Sequence, residues 1–145
     1  MNSKVRHHEE HPSAMLYVRA LSPWFAILAL AFVNGAFREL VLVPRLGHPW
    51  ALLISGFLLS CCILAIAYLT VTRLRISNSG QLLALGCIWL LLTLLFEFGF
   101  GHFFQGKSWS ELRGAYQFEN GNLWSLVLLV VLFGPLLAGR LSSGD

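Results

Sequence analysis

The chain carries little charge. Asp, Glu, Lys and Arg make up 12% of its 145 residues, about half of the roughly 25% usual in a soluble domain. The basic surplus is small, 10 Lys+Arg against 7 Asp+Glu, and it is dispersed, which argues against a nucleic-acid partner. Cysteine is also scarce. Cys61, Cys62 and Cys87 lie in apolar runs with no C-x-x-C spacing, so a thiol–disulfide centre or a zinc finger has no support. Thiols in such runs act as small packing residues. The chain does not open on an apolar leader either: Lys4, Arg6, Glu9, Glu10 and Arg19 precede the first apolar run. Ala29-Leu30-Ala31 has the pattern of a signal-peptidase site, but the apolar run continues past it.

What the chain has in abundance is apolar surface, 57% of its residues. Lipid is therefore the expected solvent. A bilayer-spanning helix needs about 20 apolar residues, and four windows qualify: about 23–43, 49–72, 81–100 and 123–141. Ser22-Pro23 reads as an N-cap followed by proline at the first helical position, and Pro44 as the end of the first span. Pro49 opens the second span and Asn122 caps the fourth. Ser77-Asn78-Ser79-Gly80 breaks the chain between the second and third spans.

The longest connection lies between the third and fourth spans. There Ser108-Trp109-Ser110-Glu111 has the spacing of a capping box, and Trp109, Leu112 and Tyr116 recur on one helical face, which predicts a short amphipathic helix at the membrane interface. The expected fold is an all-α, polytopic bundle of four transmembrane helices with that short interfacial helix between the third and fourth. Residues 1–19 are expected as a disordered cytoplasmic tail and 20–145 as one transmembrane domain. Trp50, Trp109, Tyr116 and Trp124 are the expected interfacial anchors.

Lys4, Arg6, Arg19, Arg73, Arg75 and Arg140 fall on one side of this topology, and Arg45, Lys107 and Arg113 on the other. The bias predicts that both termini are cytoplasmic. A cell membrane of bacterial inner-membrane type is the expected location.

Polar groups at membrane depth are costly and usually face the bundle interior with a partner. Asn34, Gly35, Arg38 and Glu39 form one stripe of the first span, and Thr93 and Glu97 form an i, i+4 pair on the third. At about 1.5 Å per residue, Arg38 and Glu97 each lie roughly 22 Å along their helices. The first and third spans run in the same direction, so these two residues are expected to form an intramembrane ion pair. His102 follows Glu97 and extends the polar set toward the outer surface. Asn34, Arg38, Glu39, Thr93, Glu97 and His102 are thus the candidate ligand or proton-path residues. Glu-x4-His does not have metal-ligand spacing. With no nucleophile–base pair, no catalytic residue is assigned, and no metal or cofactor is expected.

Gly56 and Ser60 make a small-xxx-small pair suited to close helix packing. Gly99 and Gly101 are placed to let a neighbour approach the backbone. Gly134-Pro135 is expected to kink the fourth span and free the carbonyl of Val131. Four-span proteins resembling vitamin K epoxide reductase need redox cysteine pairs, which are absent here. Small multidrug exporters carry an acid in their first span, but Glu39 stands near the far end of this one. The residues leave two readings. One is a component for moving protons or a small polar solute through the Arg/Glu cluster. The other is a structural or assembly subunit of a larger membrane complex. In either, the chain is a non-enzymatic membrane protein whose partners are the bilayer and a homo-oligomer or larger complex.

Overall fold

A computed structural model describes residues 12–114 and 123–144 of the chain. These form a bundle of helices: α1 (Pro12–Phe37), α2 (Val43–Leu46), α3 (His48–Leu74), α4 (Ser79–Gly99), α5 (Trp109–Gly114) and α6 (Trp124–Ser143). A π turn, Arg38–Leu42, joins α1 to α2, and a second, Phe100–Phe104, extends α4. Four stretches are long and apolar enough to cross a membrane: Ala14–Leu46, His48–Leu74, Ser79–Phe104 and Trp124–Ser143. The fold is therefore a four-transmembrane-helix bundle with a short helix, α5, between the last two spans.

Several boundaries differ from the sequence reading, each for a local reason. α1 begins at Pro12, so residues 12–19, expected in a disordered tail, are helical, and Pro23 lies inside the helix. A helical proline leaves the carbonyl four residues earlier without its N–H donor; for Pro23 that carbonyl is Arg19's. Ser22 is not an N-cap: its hydroxyl donates to the Arg19 carbonyl at 3.0 Å. Pro44 does not end the first span. The helix widens into the π turn, where the Val43 N–H donates to the Arg38 carbonyl, and Pro44 then occupies the start of α2, where no intrahelical N–H is required. Gly47 ends the segment at φ +82°, a conformation open mainly to glycine.

The third span likewise runs past Phe100. It closes at Gly106, where φ is +65° and the Lys107 N–H donates back to the Gly101 carbonyl at 3.0 Å. Asn78 caps α4 by accepting the Gly80 N–H at 2.8 Å, so Ser79 and Gly80 begin the helix and do not belong to the preceding break. Asn122 lies outside the described residues, as does Tyr116.

α3 and α6 form the centre. Ala51, Ser55, Leu59, Ile63 and Ala67 of α3 are buried along one stripe, the four-residue ridge of close helix packing. The stripe faces Val127, Val131, Gly134 and Ala138 of α6, all buried. Gly134 lies against Ala67, where a Cβ would stand 3.6 Å from Ala67 Cβ, an ordinary contact distance. α4 packs closer still on the other side of α6: a Cβ on Gly86 would overlap the Leu132 carbonyl. Small residues serve this purpose in lipid, where helices associate by packing and hydrogen bonds and not by exclusion of water.

α1 is held by three contacts to α4. The fully buried Trp89 donates its indole N–H to the Ala20 carbonyl at 2.9 Å. Trp24 donates to Thr93 Oγ1 at 3.1 Å. Phe32 meets Phe96 and Phe100 edge to face, with centroids 5.8 Å apart in both cases. Positions ascend together on both helices, so the first and third spans are parallel. α1 is nevertheless the least enclosed span: 6% of its most apolar stretch is buried, against 39% for α6.

Candidate functional site

Five of the six polar residues singled out in the sequence line one cavity. It has a volume of about 610 Å³ and is bounded by α1, α3, α4 and α6. Its walls include Asn34, Arg38 and Glu39 from the first span and Thr93 and Glu97 from the third. It extends from Lys107 and Glu111, beyond the end of α4, inward to Trp24, Ile63 and Val131. At that inner end Trp24, Ile63 and Val131 belong to the packed core. Both π turns contribute to the wall, through Arg38 and Glu39 on one and Phe100 and Gly101 on the other. π turns within helices are frequent at functional sites.

The polar contacts differ from expectation. Among the described residues, Arg38 and Glu97 form no ion pair; Arg38 Nε instead meets Glu39 Oε1 at 3.0 Å, with side chains 30% and 54% exposed. Glu97 Oε2 accepts the Trp124 indole N–H at 2.8 Å. Aromatic packing explains why. Phe32, Phe96 and Phe100 fill the seam between α1 and α4 at this depth. Glu97 follows Phe96 directly, so a regular helix turns it about 100° away from that seam. The intramembrane ion pair is thus replaced by two separate contacts, and none of the charged residues described is buried.

Asn34 is fixed by its amide. Nδ2 donates to the Ser55 carbonyl at 3.1 Å, which turns Oδ1 the other way. That oxygen is buried and has no hydrogen-bond partner in the protein, a costly state for an amide acceptor. Thr93, by contrast, is fully engaged. It accepts from Trp24 and donates to the Trp89 carbonyl at 2.7 Å, so its hydroxyl locks α1 to α4.

His102 does not join the cavity wall. Its Nδ1 lies 3.1 Å from the Lys107 carbonyl, and its ring stacks on Trp109 at 4.3 Å. It therefore fastens the end of the third span to α5. The capping box is complete: Glu111 Oε2 accepts from the Ser108 N–H at 2.7 Å, and Ser108 Oγ accepts from the Glu111 N–H at 3.3 Å. The Ser108 backbone and hydroxyl hydrogen bonds, aided by nearby Lys107, hold the Glu111 carboxyl below its usual value. Leu112 seats on Gly101, where a Cβ would collide with its Cδ2; Gly99 has no such neighbour. Among the expected anchors, Trp50 and Trp109 are exposed, whereas Trp124 turns its indole N–H inward to Glu97.

The sequence reading passed over Trp24, Trp89 and the inner role of Trp124. One signal was available: an indole N–H in an apolar span needs an acceptor. Gln105, Lys107 and Glu111 at the cavity's outer end fall in the third connection by sequence, where nothing local shows that α5 folds back over the third span. Among the described residues, no three His, Cys, Asp or Glu side chains converge to hold a metal ion. The arrangement offers hydrogen-bond acceptors, a carboxylate and aromatic faces around a mostly apolar space. No protein-family model, curated protein or solved structure matches the chain.

Proposed function

We propose that this small integral membrane protein is a transport component that takes a small solute into the cavity between α1, α3, α4 and α6. One observation carries the reading. Asn34 and Glu97, polar side chains on different spans, line the same space among apolar and aromatic walls. Ligand sites are concave, mostly apolar and supplied with a few placed polar groups, in the range of about 300–1,000 Å³, and this cavity has that character. Glu97 is the titrating group through which proton movement couples to the solute. The inner end is closed by packed side chains, so passage requires an element to move, and α1 is the span with the least buried surface. Both termini are cytoplasmic in this reading, and the outer end of the cavity faces away from the cytoplasm.

The test is solute and proton flux in proteoliposomes, with Glu97→Gln as the control. The reading predicts that the variant inserts and folds but loses flux. Equal flux in the variant and the unaltered protein refutes it.

A second reading, an assembly subunit of a larger membrane complex, draws on the first span, where Phe25, Val33 and Leu40 are exposed and little of the surface is buried in the core. Its test is the intact mass of the particle extracted from native membranes in mild detergent. Other chains in that particle favour it; a small multiple of 16.2 kDa favours a self-sufficient homo-oligomer.

A further inference from the structure

We infer that the cavity takes a single-chain amphiphile, its hydrocarbon chain reaching inward and its polar head at the outer mouth. This names the class of solute in the reading above and rests on it. The inference comes from what the walls offer at each depth. The inner part is lined by Trp24, Ile27, Leu59, Ile63 and Val131. The uncharged polar side chains between there and the mouth are committed within the protein. The Trp24 indole donates to Thr93, and Thr93 donates to the Trp89 carbonyl. Ser55 donates to the Leu52 carbonyl at 3.2 Å. Asn34 donates to the Ser55 carbonyl, and its Oδ1 has no exposed surface. A polar solute would shed its water here and find few partners in return, which is costly. A hydrocarbon chain has no hydrogen bonds to lose, and apolar cavities take apolar ligands.

The mouth is different. The charged residues described on the wall, Arg38, Glu39, Glu97, Lys107 and Glu111, all lie near or beyond the outer end of a span. An apolar group seated there would strip water from these charges, whereas a polar head would not. Both signs are present: Arg38 meets Glu39 at 3.0 Å, and Lys107 stands near Glu111. A zwitterionic head matches such a mouth. Shape agrees. The first span lines the space from Trp24 to Arg38, roughly 21 Å at a helical rise of about 1.5 Å per residue. That length suits an extended chain better than a rounded body. A volume of about 610 Å³ holds one chain and falls short of a two-chain bilayer lipid.

The experiment uses the full chain in phosphatidylcholine nanodiscs. The probe is a lysophosphatidylcholine with a nitroxide at its chain end or beside its head. A two-chain phosphatidylcholine with the same labels is the comparison. Indole N–H NMR signals of Trp24 and Trp124 report proximity, because a nitroxide broadens signals near it. The chain-end label should broaden Trp24 and the head-side label Trp124, each more than the two-chain lipid does. Gly35 lines the cavity, and a Cβ there meets nothing within 4 Å, so Gly35→Leu adds bulk in open space. It should weaken the probe's effect on Trp24 about tenfold. Ala31→Leu, one turn deeper on the same wall, is a second such variant. Equal broadening by the two-chain lipid, or an effect on Trp24 that survives both variants, means lipid at the protein's surface and overturns the inference. No broadening, or the reverse order of labels, also overturns it. The solute reading falls separately, through the flux test above.

Discussion

Trp124 Nε1 donates to Glu97 Oε2 across 2.8 Å, tying the start of α6 to the end of α4 at the cavity wall. The bond gives Glu97 a structural partner other than Arg38, and that changes what substitutions should do. Gln at position 97 still offers an oxygen to the indole, whereas Leu does not. Glu97→Gln should keep folding stability within about 1 kcal/mol, while Glu97→Leu should lose more, since interhelical hydrogen bonds in membranes are worth about 0.6–2 kcal/mol. Steric-trap unfolding in bicelles would compare them. A large loss in Glu97→Gln would revive a charge-pairing role.

The two tryptophan contacts between α1 and α4 should be separable. Trp24→Phe and Trp89→Phe each remove an indole N–H and keep an aromatic ring. Each should cost about 1 kcal/mol from the hydrogen bond alone. Trp89→Phe should cost more, because Trp89 is fully enclosed and a smaller ring leaves a void. The same unfolding assay, with the double variant, would show whether the two bonds act independently.

Gly86 should be intolerant of any side chain. A Cβ there overlaps a backbone carbonyl, that of Leu132, and backbone cannot swing aside as the tip of a side chain can. Gly86→Ala should destabilise by about 1–3 kcal/mol. Gly99→Ala, where nothing lies within 4 Å, should be close to neutral. Parallel unfolding measurements on the two alanine variants would check the contrast.

The capping box of α5 should be sensitive to acid. The Glu111 carboxyl is held below its ordinary value in the folded chain, chiefly by Ser108. Its contribution is therefore present above the ordinary carboxylate range and is lost as pH falls through the lowered folded value. The NMR signal of the Ser108 backbone N–H, which donates to Glu111 Oε2, should hold its position down through the ordinary glutamate range and move only below it. Ser108→Ala should move that change to higher pH.

Orientation is open to a direct check. Reporters fused after the C-terminus and inserted beside Lys107 should fall on opposite sides of the membrane, with the C-terminal one in the cytoplasm. The opposite result would reverse the side from which the cavity is reached.

The amino-acid sequence by itself determined that the chain has four spans and roughly where they lie, because apolar run length is set by bilayer thickness and is readable residue by residue. It also determined the local devices: the Ser108–Glu111 box, proline at the start of α3, and the polar stripe of the first span. Local chemistry did not decide how prolines 23 and 44 would be accommodated. Both are carried within helical segments, one by the Ser22 hydroxyl and the other by a π turn. Only the tertiary structure decided the partners of Glu97 and Arg38. Similar depth made an ion pair plausible, but Phe32, Phe96 and Phe100 occupy the seam through which it would form. A helix face can be read from spacing in sequence; which neighbour that face meets depends on how four helices rotate about their axes to pack Trp89, Gly86 and Phe32, and that rotation is a property of the whole bundle.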